Sequence, residues 1–160
     1  MIDMDARCGR LQNLLHREVP MSKTMGMTVR SYDGQRLKMD AALEPNLNRY
    51  GVAFGGSIYS LCAMAGWGLL TLKLEEAELD ARIMITGGEI EYLKPVSQTL
   101  VSASFFSKTS DFGLFSDEWL SRQRARIRIP VEILLEDGSL AARFMGGYIA
   151  IAREQITGQS

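Results

Sequence analysis

One histidine, His16, and two cysteines, Cys8 and Cys62, are all that the 160 residues offer for imidazole or thiol chemistry. A Ser/His/Asp triad, a Cys/His dyad or a histidine-rich metal centre would have to use His16 or be assembled between subunits. Leu11, Leu14 and Leu15 fall at i, i+3, i+4, so His16 reads as a surface histidine of an amphipathic helix. Cys8, His16 and Cys62 lack the close pairings of metal ligands, so no metal is expected. There is no P-loop, no G-x-G-x-x-G and no G-x-S-x-G. What remains is a glycine pair, Gly55-Gly56, inside an uncharged stretch. Backbone N–H groups at a helix start can hold a developing oxyanion, and glycines let a carbonyl approach closely. The same pair can instead serve only to let a helix cross a sheet at short distance. Ser57 and Ser60 have no adjacent base, so they read as helix-start and packing residues rather than nucleophiles.

A helix start can do this work only if the rest of the chain fixes it. With 46% hydrophobic and 23% charged residues, the composition is that of one globular domain over residues 1–160. A chain of this size buries roughly 70% of the surface that its unfolded form exposes, enough for one core without disulfides. Eighteen Lys+Arg against nineteen Asp+Glu leave a formal charge of -1. That balance supplies no general attraction to a phosphate backbone, and no nucleic-acid partner is expected. The two cysteines lie far apart, and no basic segment followed by an apolar one opens the chain. A reducing, cytoplasmic setting is the expectation.

The periodicity predicts a short helix over Ala6 to Glu18, broken at Pro20, then strands over Met25 to Tyr32 and Arg36 to Leu43 joined by a two-residue Asp33-Gly34 turn. From Tyr50 to Leu72 no residue is charged. Its length would suit a membrane span, but its glycines and serines and its position between amphipathic strands predict a buried core helix, Gly55 to Glu76. No membrane partner is expected. Four more strands follow, over Arg82 to Leu93, Thr99 to Phe106, Gln123 to Leu135 and Leu140 to Ala152. In the third of them Ile127, Ile129, Val131, Ile133 and Leu135 alternate with polar residues, and Pro130 places that strand at an edge there or at a bulge. Between Ser107 and Arg122, Ser116 looks like the cap of a short helix, and Phe112, Leu114, Phe115 and Trp119 are unusually apolar for a connection. Six strands and one apolar helix can bury their apolar faces together only if the sheet wraps the helix. The expected class is therefore α+β, a six-stranded antiparallel sheet around one long helix with a short N-terminal helix, the hotdog fold.

Asn48-Arg49-Tyr50-Gly51-Val52-Ala53-Phe54-Gly55-Gly56 resembles the N-x-x-G-x-x-H-G-G stretch of phenylacetyl-CoA-type hotdog thioesterases. Pro45-Asn46-Leu47-Asn48, Phe54-Gly55-Gly56-Ser57-Ile58-Tyr59, Ala65-Gly66-Trp67-Gly68 and Tyr92-Leu93-Lys94-Pro95-Val96 resemble the putative thioesterase domain that ends the YiiD-type acetyltransferases, from about Leu14 to Ile151. The resemblance implies an acyl-thioester hydrolase acting on acyl-CoA or acyl-carrier-protein, with no dissociable cofactor, working as a dimer or dimer of dimers. By the same resemblance Gly55 and Gly56 polarise the thioester carbonyl, Asn48 orients water or the thioester, and Phe54, Ser57 and Tyr59 contact substrate. Asn48 reads equally well as a turn residue. The chain departs from the phenylacetyl-CoA-type pattern where a histidine and a helix aspartate would stand, at Phe54 and Ala63. A strand carboxylate such as Glu89 or Glu91 would then have to activate water. The departures also leave open a non-catalytic acyl-binding or assembly domain, and they disfavour a dehydratase. With such a substrate, Phe112, Leu114, Phe115 and Trp119 are expected to cover the acyl chain or to pack on a second subunit. Arg122, Arg124, Arg126 and Arg128 share one strand face if the strand extends that far. Arg124 and Arg126 in particular are expected to hold the phosphates of coenzyme A, or else to form a solvated strand face.

Overall fold

The computed structural model describes residues 3–153. Helices α1 (Met4–Glu18) and α2 (Pro20–Thr24) precede strands β1 (Met27–Tyr32) and β2 (Arg36–Ala41). After a 3-10 turn at Glu44–Asn46 comes α3 (Gly55–Glu76), then β3 (Ala81–Tyr92), β4 (Leu100–Phe105), α4 (Asp111–Arg122), β5 (Arg124–Leu134) and β6 (Leu140–Ala152). The strands make one antiparallel sheet in the order β1-β2-β4-β5-β6-β3. It wraps α3, which packs against β2, β3, β4, β5 and β6. This is the hotdog fold, and α3 has the bounds that the uncharged run predicts.

Burial explains the wrapping. Leu61, Cys62, Ala65, Leu69, Leu70 and Leu72 of α3 are fully buried, on more than one side of the helix. They meet Leu37 and Met39 of β2, Leu100 of β4, Ile129 and Ile133 of β5 and Tyr148 of β6 in one core. α3 is also the only helix among the described residues long and apolar enough to cross a membrane, and most of it is buried in this core.

Several local expectations change. Pro20 does not simply break α1 but opens α2 as its first residue, where its missing N–H costs nothing. The first hairpin is not a two-residue Asp-Gly turn. Asp33 stands at its shoulder, with Oδ1 accepting from the N–H groups of Gln35 and Arg36, and only Gly34 takes positive φ (93°). The helix in the 107–122 connection starts at Asp111 rather than Ser116. Phe115 and Trp119 are buried in the chain's own core and Phe112 packs against it, which corrects their expected role over an acyl chain or a second subunit. Leu114 alone of that group is well exposed. Arg122 belongs to α4, and Gln123 in the left-handed region separates it from the strand arginines. Pro130 fits its strand because the β4–β5 ladder reaches only to Val131, so β5 has no neighbour on that side where the N–H is missing.

Candidate active site at the start of helix α3

Three backbone hydrogen bonds and one side chain fix the entry to α3. The Phe54 N–H donates to Asn46 O (2.7 Å) and the Ala53 N–H to Val96 O (2.7 Å). Asn46 is buried, and its Nδ2 donates to Met25 O (2.8 Å) and Ala42 O (2.6 Å), tying the entry to the end of α2 and the end of β2. Its Oδ1 is buried without a hydrogen-bond partner among the described residues. The Asn48 N–H donates to Val52 O (2.8 Å), closing a tight loop at whose tip Gly51 takes positive φ (77°).

The helix start itself is uncapped. No side chain caps the N–H groups of the first turn, and no acidic residue lies in it. The Ser57 and Ile58 N–H groups turn back to Phe54 O, while those of Gly55 and Gly56 have no acceptor among the described residues. Two free amides therefore stand at the positive end of a 22-residue helix, an arrangement that binds negative charge. Side chains close in on both glycines. A β-carbon at Gly56 would collide with the Phe54 ring, and one at Gly55 would come within 3.3 Å of the Tyr92 ring.

Tyr92 is the residue that sequence reasoning passed over. From the last position of β3 its hydroxyl donates to Gly55 O (2.8 Å), and burial pushes the phenol pKa up, keeping it a donor. Its place at the head of the Tyr92-Leu93-Lys94-Pro95-Val96 motif is the one available signal. Ser60 likewise donates to Gly56 O (2.8 Å), the back-bond to the i−4 carbonyl that a serine makes within a helix. Leu47, Tyr50, Phe54, Tyr92 and Leu93 leave a rim of exposed apolar side chains on the segments that meet at this helix start.

The expected site residues divide into two groups. Phe54, Gly55, Gly56, Ser57 and Tyr59 lie together on the first turns, with Tyr59 packed edge-on against Phe144 (5.1 Å between centroids). Asn48 joins them through the loop. Its Oδ1 accepts from the Tyr50 N–H (2.8 Å) and the Val52 N–H (3.4 Å), so the turn role is real, and its Nδ2 has no partner among the described residues. Arg124 and Arg126 are elsewhere. They pair across to Ile151 and Ile149, on the sheet face opposite Ala125 and Ile127, which are buried toward α3. Glu89 and Glu91 share that outer face, and Glu91 sits 3.7 Å from Arg143. The sheet thus separates both carboxylates from the Gly55-Gly56 amides of the same chain. His16 is engaged, with Nε2 donating to Met27 O (2.8 Å). Cys62 is buried within α3 and burial pushes its thiol up to about 12, which leaves no thiolate at neutral pH. Among the described residues no three His, Cys, Asp or Glu side chains stand close enough to hold a metal ion.

Known proteins share this fold. A putative thioesterase from Shewanella oneidensis is 27% identical over 92% of this chain and 99% of its own, with a TM-score of 0.81. A protein of unknown function from Chlorobaculum tepidum TLS is 28% identical over 93% and 96%, with a TM-score of 0.87. The E. coli PaaI protein from the phenylacetic acid degradation operon, at 15% identity and a TM-score of 0.68, shares the fold. The model of the family described as putative thioesterase (yiiD_Cterm) matches residues 8–152, and the chain belongs to that family.

Proposed function

We propose that the protein hydrolyses acyl thioesters of coenzyme A or of an acyl-carrier protein, as a homo-oligomer in the cytoplasm. The observation that carries this reading is the pair of unengaged amides at Gly55 and Gly56 on the uncapped start of α3. In the reaction water adds to the thioester carbonyl, a C–O bond forms, and the carbonyl oxygen gains the charge that the two amides and the helix dipole stabilise. The intermediate collapses with cleavage of the C–S bond. The sulfur leaves as a thiol with a proton that came from water, and the acid is released. Asn48 Nδ2 is the donor that orients water or the thioester. Tyr92 positions the amides by holding Gly55 O. Two buried, unpaired cysteines fit a reducing compartment.

A second reading is favoured by Phe54 and Ala63, which stand where the phenylacetyl-CoA-type pattern has a histidine and an aspartate. An acyl-binding module needs the pocket and the amides but no base. Thiol release from a panel of acyl-CoA and matched acyl-carrier-protein thioesters separates the two. Saturable turnover is expected, and the better carrier identifies the donor. Tight binding of the thioesters with no thiol release above background would overturn hydrolysis in favour of the module.

A further inference from the structure

Along α3, starting one turn after Gly56, runs an apolar groove of about 480 Å³. Tyr59, Ser60, Ala63 and Met64 form its floor, Met21, Met25 and Met27 one wall, and Ile85 to Gly87 of β3 the other. No charged side chain lines it. Ala63, where the related pattern carries a carboxylate, is part of this apolar floor. The groove and the candidate site lie on the same helix, and Ser60 in the groove's floor stands one turn after Gly56, to whose carbonyl it donates. At its far end Val19 and Met64 are shared with a second cavity, of about 640 Å³, whose lining is charged through Arg17, Glu18, Asp80 and Arg82. The apolar stretch therefore has a defined length.

We infer that this groove receives the acyl chain, and that the chain is an unbranched aliphatic one of roughly ten carbons. The inference rests on the reading of Gly55 and Gly56 as the carbonyl site. From Gly56 to Met64 the helix rises ~12 Å at 1.5 Å per residue, about the extended length of such a chain. Methionines, flexible and polarisable, adapt to a mobile aliphatic chain. An acyl group ending in a carboxylate would bury its charge against an uncharged wall. A much longer chain would drive its tail into the charged cavity beyond Met64.

Two measurements on the purified protein test this. The first is kcat/KM for straight-chain acyl-CoA from acetyl to palmitoyl, with succinyl-CoA as the charged comparison. The second is the calorimetric Kd of S-alkyl-CoA thioethers of the same lengths, which cannot be hydrolysed. Both should improve roughly two- to fourfold per methylene up to about ten carbons and then level off, with succinyl-CoA the poorest substrate for its length. Met64→Trp fills the floor, and Met21→Glu charges the rim at a position 63% exposed, where a folding defect is not expected. Each should lower the decyl-to-ethyl affinity ratio at least tenfold. A flat dependence on chain length, or an unchanged ratio in folded Met21→Glu and Met64→Trp, overturns the inference even if thioesters are hydrolysed. A steep thioether series that both variants flatten, with no thioester hydrolysed at all, upholds the groove and removes the hydrolase reading instead.

Discussion

The loop role of Asn48 and its proposed role at the site fall on two atoms of one side chain, and this makes them separable. Oδ1 holds the 48–52 loop by accepting from Tyr50 and Val52, while Nδ2 has no partner among the described residues. Asn48→Asp keeps the acceptor and removes the donor. Its melting temperature should stay within a few degrees of the parent, while kcat falls on the order of 10²-fold, comparable to losing one positioned donor. Asn48→Ala removes both, so it should lose about 1 kcal/mol of stability as well. Equal turnover per folded molecule in Asn48→Asp and the parent would reduce Asn48 to a loop residue. The sequence could place this amide beside Gly55 and Gly56 by spacing alone. It could not say which atom of the amide the backbone would occupy.

At the scale of elements, the glycines inside α3 set how near the helix lies to the sheet. A β-carbon on Gly66 would collide with the Tyr148 hydroxyl, which donates to Ala63 O (2.7 Å) in the core. Gly66→Ala should cost roughly 1–3 kcal/mol as overpacking, and Tyr148→Phe in the same chain should recover part of the loss by removing the nearest atom. Thermal unfolding of the two singles and the double measures that coupling, and strictly additive losses would mean that the contact is not what excludes a side chain at 66. Long, strongly patterned elements were the legible ones. α3 follows from the absence of charge between Tyr50 and Leu72, and β5 from the alternation of Ile127, Ile129, Val131 and Ile133. α4 was harder to read, because Gly113 and Ser116 interrupt its pattern and its N-terminal Ser110 makes no side-chain cap. That Arg124 and Arg126 stand apart from the helix start could not be read from the sequence, for a topological reason. Alternation says that they share a face, but only the pairing order tells which face turns toward α3.

The whole molecule has two sheet edges, and they are treated differently. On β1 the Val29 N–H is taken by Gln12 Oε1 (2.9 Å), α1 packs against the strand, and a register shift lies between Val29 and Ser31. β3 is a 12-residue strand paired only with β6, and Met84 and Ile85 on it are each 42% exposed. A long edge with unpaired backbone groups and apolar side chains on both faces is a template for another strand. The charge that usually guards such an edge is confined to Arg82, Glu89 and Glu91, leaving Ile83 to Gly88 uncharged. We expect β3 to pair with β3 of a second copy, at least a dimer at micromolar concentration by sedimentation. Pairing there would also set the second copy against Ile85 to Gly87, the wall of the apolar groove, so assembly and acyl binding would share a boundary. The double substitution Met84→Lys, Ile85→Lys puts like charges on both faces where two copies of the strand would meet. It should shift the protein toward monomer with the secondary structure intact. A parent protein that sediments as a monomer at micromolar concentration would refute this pairing and leave the edge as exposed apolar surface with no partner.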